Sequence, residues 1–248
     1  MIKLIGIGTG GIDVVGRLAG DLPAGVEGWA VSPDATDFAR ARGLQAVEIG
    51  RQLTRGLGAG GNTDVGTRAA EESRLELAAA VGGADHVVLV APLGGGTGTG
   101  AGPVVARLAA EGGARVIAVV TRPVTFEGRR RGLQADAGIA ALRLATDLLV
   151  VVPNDCLRDL MGSRLSLQAA FGLVDSLVAH LLGPLGAQSG LQDPEQLALA
   201  ALDAAGLPGC EVVVSPGCHV RWHGANAPSG LEPVVAKADA PTGLEPSL

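Results

Sequence analysis

Gly94-Gly95-Gly96-Thr97-Gly98-Thr99-Gly100 follows the apolar run Val87 to Ala91 and precedes a helix-like stretch, Ala101 to Glu111. An apolar strand, a glycine-dense turn and a helix in that order read as a phosphate cradle. Without Cβ atoms, Gly94, Gly95, Gly96, Gly98 and Gly100 let the backbone take φ > 0 and bring several N–H groups against one anion. Thr97 and Thr99 add hydroxyls, and a helix beginning near Ala101 turns its positive end toward the same anion.

Outward from this loop, apolar runs suited to buried strands recur at Ile2 to Ile7, Val26 to Val31, Val87 to Ala91, Arg115 to Val120 and Leu148 to Val152, with helical patterns between most of them. Fully apolar strands alternating with helices predict an α/β domain with a parallel sheet. Its ligand crevice then lies outside the carboxyl ends of the strands, where the glycine loops fall. Leu165 to Leu182 reads as a long apolar helix, and Pro194 to Ala205 as a further one with Pro in its first turn. Cys210 to Trp222 suggests a hairpin. From Gly224 the chain is rich in Pro, Ala, Gly and acidic residues and is expected to be flexible.

The 248 residues are 47% hydrophobic, enough for one good-sized core or for one large domain and a small one. A net charge of −6 argues against a nucleic-acid surface, which shows as a basic patch. The one dense basic run, Arg129-Arg130-Arg131, reads as a solvated first helical turn or as a phosphate contact. The three Cys are an odd count, no signal-peptide pattern is present and no apolar run spans a bilayer, so a cytoplasmic protein without membrane insertion is expected. Cys210, Cys218, His219 and His223 match no standard zinc spacing, and no metal ligand set is predicted.

Two more glycine segments bear on the ligand. Gly6-Ile7-Gly8-Thr9-Gly10-Gly11 follows the first strand and opens a helix, satisfying G-x-G-x-x-G, with Asp34 at the end of the second strand. Alone this is a dinucleotide fingerprint, but a nicotinamide enzyme leaves the second loop unexplained. Two loops converging from two strands suit a polyphosphate gripped along its length. The third segment, Gly56-Leu57-Gly58-Ala59-Gly60-Gly61-Asn62, reads either as a connector or as a cover for a terminal phosphate. Further on, Thr121-Arg122-Pro123 ends a strand, Glu127 offers an acceptor for a ribose hydroxyl, and Arg131 carries a planar fork that suits phosphate.

These motifs together resemble bacterial FtsZ and, more remotely, tubulin. Gly94 to Gly100 is similar to the tubulin signature, extended by Ala101-Gly102-Pro103-Val104-Val105-Ala106. Gly56 to Gly66, Thr121 to Arg131 and Val152-Pro153-Asn154-Asp155 also look like FtsZ loops, and the resemblance covers about residues 1 to 200. It implies a Rossmann-like parallel sheet with helices on both faces, a long central helix and a small α/β remnant of a second domain. The expected division is a GTP-binding domain over 1–182, a reduced C-terminal domain over 183–223 and a flexible tail over 224–248.

Carried over residue by residue, the resemblance implies GTP or GDP as ligand, with or without Mg2+. Its first-loop contacts are Gly8, Thr9, Gly10, Gly11 and Asp13, the last standing where the family has Asn. Ala59, Gly60, Gly61 and Asn62 lie near the γ-phosphate. The signature contributes Gly94, Gly95, Gly96, Thr97, Gly98, Thr99 and Gly100. Thr121, Pro123 and Asn154 join them, with Glu127 and Arg131 at ribose and phosphate. Phe171 is similar to the family's phenylalanine at the base. Asp175-Ser176 replaces an Asn-Asp pair there, and a carboxylate at Asp175 accepts from guanine N1 and N2 while rejecting adenine.

In this family the hydrolytic acids come from the next subunit, in an Asn-x-Asp-x-x-Asp pattern after Gly-Leu; aligned on Gly190-Leu191, Asp193 stands at the Asn, Glu195 at the first Asp and Ala198 at the second. Read without the family, Asp193 and Glu195 are ordinary capping and first-turn residues. The implied function is a cytoskeletal, cell-division type protein forming head-to-tail filaments of itself, with slow assembly-coupled GTP hydrolysis. The alternative is a non-hydrolysing GTP- or GDP-binding regulator that joins or caps filaments of a true FtsZ.

Overall fold

The five apolar runs all form strands, and a sixth parallel strand that the hydrophobic pattern did not show completes their sheet. The computed structural model describes residues 1–156, 167–186, 194–207, 210–214 and 218–221. Strands β1 (Ile2–Ile7), β2 (Val26–Ser32), β3 (Gln45–Glu48), β4 (His86–Pro92), β5 (Arg115–Arg122), β6 (Leu148–Pro153), β7 (Glu211–Val214) and β8 (Cys218–Arg221) form one sheet in the order β3-β2-β1-β4-β5-β6-β7-β8. The first six run parallel. β7 and β8 add antiparallel at the β6 edge, as the expected hairpin. β3 is the strand that sequence missed: four residues long with only Val47 buried, it has no apolar run to betray it.

Successive side chains of a strand point to opposite faces, so each central strand feeds two cores. On one face Ile5, Leu89, Ala118 and Leu149 pack beneath α3 (Thr63–Glu72), α4 (Arg74–Val81), α5 (Gly96–Glu111) and α6 (Arg129–Leu142). On the other, Leu4, Val88, Ile117 and Val150 pack beneath α1 (Gly8–Leu18), α7 (Leu167–Gly186) and α8 (Pro194–Ala204). A short α2 (Arg51–Thr54) follows β3. Both cores are aliphatic, and each fully buried Leu or Val contributes about 1.5–3 kcal/mol. The parallel sheet with helices on both faces is the fold expected.

The expected division at 182/183 falls inside α7, which runs on to Gly186 through Pro184. What is described of 183–223 is built onto the same sheet: α8 buries Ala198, Ala201 and Leu202 in the second core, and β7 extends β6. Residues 224–248 lie outside the described residues. No helix among the described residues is long and apolar enough to cross a membrane.

The start of α5 differs from expectation in a way that matters for the site. The helix begins at Gly96 and not near Ala101, so Gly96, Gly98 and Gly100 belong to its first turns. Of the signature glycines only Gly94 has positive φ, at 90°. Gly96, Gly98 and Gly100 are glycine for space, whereas a Cβ on Gly95 would meet nothing within 4 Å. A Cβ on Gly98 would strike the carbonyl of Pro92, and one on Gly100 that of Thr63. α3 meets α5 with the same intimacy: a Cβ on Gly66 would strike the carbonyl of Gly96, and Thr67 Oγ1 donates to the carbonyls of Thr63 and Gly100 at 3.1 and 3.2 Å.

Gly66→Ala therefore forces two helix backbones apart and is expected to cost about 1–3 kcal/mol. Gly183→Ala, in α7 with open space around the new methyl, is expected to be neutral or to stabilise by up to about 1 kcal/mol. Urea unfolding of both variants checks the contrast.

Candidate functional site

β1, β4, β5 and β6 deliver their carboxyl ends to one place, and the loops leaving them enclose a cavity of about 290 Å³. β1 contributes Gly8, Thr9 and Gly10. β4 contributes Pro92, Leu93, Gly95, Gly96, Thr97 and Gly98. β5 leads to Thr121, Pro123, Glu127 and Arg131, β6 ends beside Asn154, and Gly61 reaches in from the third glycine segment. Pro92 and Leu93 were missed by sequence reading because apolar residues at a strand end look like core. Leu93 is held in place by donating its N–H to the Thr121 carbonyl at 2.9 Å.

Two helices begin at this cavity. α1 starts at Gly8, whose φ of 67° turns the chain straight from strand to helix, and α5 starts at Gly96. Neither has a side-chain cap at its N-terminus, and neither has an acidic residue in its first turn. The first N–H groups of a helix have no partner within it, and the dipole places about half a positive charge there. Here two such ends converge on one glycine-walled space, which a side chain cannot enter but a phosphate chain can.

The third glycine segment owes its shape to backbone angles. Gly56, Gly58, Gly60 and Gly61 all have positive φ, between 57° and 77°. Asn62, expected near the γ-phosphate, caps α3 by accepting from Asp64 N–H at 2.9 Å. Ala59 is buried against Gly96, and Gly60 likewise stands outside the cavity wall. Gln134 of α6, which sequence reading passed over, donates to the Gly61 carbonyl at 3.2 Å and to Thr63 Oγ1 at 3.1 Å. Gln134 thus pins the segment at the cavity mouth.

Other expected contacts serve the frame. Thr99 is buried and accepts from Gly94 N–H at 2.8 Å, which fixes the turn and leaves Thr97 as the signature hydroxyl in the cavity wall. Gly11 packs under Val90, and Gly100 packs on α3. A hydroxyl inside the first turns of a helix bonds back to its own loop when that loop is within reach.

The polar wall is small. Arg131 pairs with Glu127 one helical turn away, and Glu127 Oε1 also accepts from Val124 N–H at 3.0 Å. Asn154 Oδ1 is buried and has no hydrogen-bond partner among the described residues. Such an orphan acceptor fits a ligand with a hydroxyl or amine donor. The glycine cradle and the two uncapped helix ends fit the anionic part of the same ligand.

Two expected contacts lie away from the cavity, farther along α1. Asp13 pairs with Arg40 at 3.3 Å. Asp175 of α7 accepts both arms of the Arg17 fork, at 2.6 and 2.8 Å. The pair holds the Arg17 charge more firmly than usual, chiefly through this bond. Positions 10, 13 and 17 share one stripe of α1, so the stripe leads from the glycine loop to Asp175. Sequence reading missed Arg17 and Arg40 because cation partners distant in sequence leave no spacing signal.

Asp193 lies outside the described residues, as does the side chain of Phe171. Glu195 stands in the first turn of α8, with its side chain likewise outside description. Ala198 is fully buried in the second core. A carboxylate at that position would face the sheet, so the missing acid is a matter of which face of α8 packs inward. Cys210 is also buried there, and burial pushes its thiol up to about 12, an unfavourable state for a metal ligand. Among the described residues no group of three or more His, Cys, Asp or Glu side chains could hold a metal ion.

Residues 1–162 match the family described as "Tubulin/FtsZ family, GTPase domain". Among solved structures, an FtsZ dimer from M. jannaschii, described as empty, is 38% identical with a TM-score of 0.70, over 77% of this chain and 57% of that one. CetZ1 of Haloferax volcanii, a GDP-bound monomer, is 25% identical with a TM-score of 0.66, over 83% of this chain and 64% of that one. CetZ2 of the same organism, a GTPγS-bound protofilament, shares the fold at 24% identity and a TM-score of 0.66, over 79% of this chain and 61% of that one. The chain thus spans less than two thirds of the length of these proteins.

Arg17→Met removes one half of a partly exposed fork-to-carboxylate pair. The expected loss is about 0.5–1 kcal/mol, shrinking at high salt. Denaturant unfolding at low and high ionic strength measures both.

Proposed function

Because the chain belongs to the tubulin/FtsZ family, with residues 1–162 corresponding to its GTPase domain, we propose that it binds GTP or GDP in this cavity and assembles into filaments that hydrolyse GTP slowly. The observation that carries the reading is the convergence of two uncapped helix N-termini, at Gly8 and Gly96, on one glycine-walled space. The phosphates lie against Gly8, Gly10, Gly96 and Gly98, with Thr97 and Arg131 as side-chain donors. Glu127 and the orphan Asn154 oxygen accept from ribose hydroxyls. Mg2+, where present, is held mainly by phosphate oxygens and water, as its hard, strongly hydrated character favours.

The base runs down the α1 stripe past Asp13 toward α7. A carboxylate has about four acceptor sites, and Arg17 uses one on each oxygen of Asp175. The remaining sites suit the N1 and N2 donors of guanine, and adenine offers no such pair. Arg17 therefore orients Asp175 without saturating it.

Hydrolysis requires a water positioned at the γ-phosphate. In the proposed filament, Asp193 and Glu195 of the next copy supply it, head to tail, with Glu195 as the polarising base. With Ala at position 198 one carboxylate is missing, a loss typically worth about 10²- to 10⁴-fold in rate, and slow turnover follows. The role is cytoskeletal and cytoplasmic, of the kind that serves cell division. The burial of Ala198 favours a second reading, in which the chain binds GTP or GDP without hydrolysis and acts as a regulator that joins or caps filaments of a true FtsZ.

Phosphate release from GTP, measured over a protein concentration series with sedimentation of the same samples, separates the two. Specific activity rising above a critical concentration, with protein in the pellet, is the outcome expected of the filament. Bound nucleotide without turnover or pelleting selects the regulator. Arg131→Ala is expected to weaken GTP binding by about tenfold or more, as loss of a charge-assisted hydrogen bond does. Glu195→Ala should abolish turnover with binding intact. Ala198→Asp, which restores the family's acid on paper, should instead destabilise the fold by about 3 kcal/mol or more, since its carboxylate enters an apolar core.

A further inference from the structure

A second cavity, of about 340 Å³, lies beside the first, on the far side of Pro123, which lines both. It is walled by Val124, Pro153 and Leu133, with Arg129 at its rim. Its two carboxylates are already engaged: Asp136 pairs with Arg122 at 2.8 Å, and Asp155 accepts from the N–H and hydroxyl of Thr125. Arg129 and its neighbour Arg130 make no ion pair among the described residues, and they stand at the positive end of α6. Leu133 is 58% exposed and Phe126, on the adjoining turn, 76%. In a chain with only three Phe, an exposed ring next to the lining residue Thr125, an exposed Leu133 in the wall and an Arg129 without an ion pair among the described residues give this face the composition of a peptide-binding patch.

The chain carries a matching segment. Pro228-Ser229-Gly230-Leu231-Glu232-Pro233 recurs thirteen residues later as Pro241-Thr242-Gly243-Leu244-Glu245-Pro246. Each copy offers one apolar and one acidic side chain between prolines, complementary to Leu133 and Phe126 on one side and Arg129 on the other.

The topology puts both copies within reach. β8 runs parallel to β6, and the register sets Arg221 level with Val151 through Glu211, two strand spacings away. The chain therefore leaves the sheet at the end that carries the cavity, about 12 Å from Pro153 by strand geometry. Leu231 follows Arg221 by ten residues, a span of up to about 33 Å, and Leu244 lies farther still.

We propose that the duplicated Pro-Ser/Thr-Gly-Leu-Glu-Pro segment of the tail docks in this cavity of its own chain, with Leu231 or Leu244 on the Phe126 and Leu133 surface and Glu232 or Glu245 on Arg129. The docked tail lies against the turn that carries Glu127 and the first turn of α6 that carries Arg131, so it bears on the neighbouring cavity from outside. The docking itself requires no nucleotide.

Hydrogen–deuterium exchange of the full-length, nucleotide-free chain tests it. Reversal of both acidic residues, Glu232→Lys with Glu245→Lys, is expected to raise exchange across residues 125–133. Adding Arg129→Glu to that pair is expected to restore protection. Reversing one copy alone halves the statistical weight of docking and is expected to change exchange by at most about twofold. Unchanged exchange in the doubly reversed chain overturns the proposal. Protection that grows with protein concentration assigns the cavity to the tail of another copy and overturns docking within one chain. Because no nucleotide is present, neither result depends on the nucleotide reading of the first cavity.

Discussion

Backbone must touch backbone where α5 leaves the sheet. Gly98 rests on the Pro92 carbonyl, Gly100 on that of Thr63, and Gly66 on that of Gly96, with no room at any of these contacts for a methyl group. That constraint fixes the height of the first turn of α5 above the sheet, the position of α3 beside it and the width of the cavity between them. The hydroxyls of Thr99 and Thr67 then lock the arrangement by bonding to the same loops. The α5 side of the cavity is placed by this contact.

The same contact has an electrostatic consequence. A helix that begins on glycine, directly at a strand end, has no capping side chain and keeps its first N–H groups unpaired. Two such helices in one sheet, starting at Gly8 and Gly96, concentrate positive potential without an ionised side chain. The site therefore attracts a polyanion while the protein as a whole carries a net charge of −6. Arg131 adds little net charge, because Glu127 pairs with it; its contribution is a directed fork.

The regions that the proposed nucleotide complex assigns to base and hydrolysis are built differently from the one it assigns to the phosphates. Asp175 is positioned by Arg17 from a helix remote in sequence, and Asp13 by Arg40. Position 198 is set by the packing of α8 against the sheet. These are side-chain decisions, each depending on which face of a helix turns inward. In the proposed nucleotide complex these side chains govern base choice and turnover, whereas phosphate binding rests on backbone.

Read without coordinates, the chain already determined five of its six parallel strands, the hairpin beyond them and the glycine loops at the carboxyl ends, because apolar runs and glycine positions are local signals; β3, with no apolar run, was not among them. It also pointed to Glu127, Arg131 and Asn154, which the fold does bring to one cavity. Only the tertiary structure decided why the signature residues are glycine. The sequence suggested left-handed angles, and among the signature glycines the structure shows them at Gly94 alone, with Gly96, Gly98 and Gly100 serving close packing against Asn62, Pro92 and Thr63. It also decided that Asn62 and Thr99 cap and brace, that Arg17 holds Asp175, and that Ala198 faces the core. Such assignments depend on contacts between residues far apart in the chain, and neither composition nor periodicity carries that information.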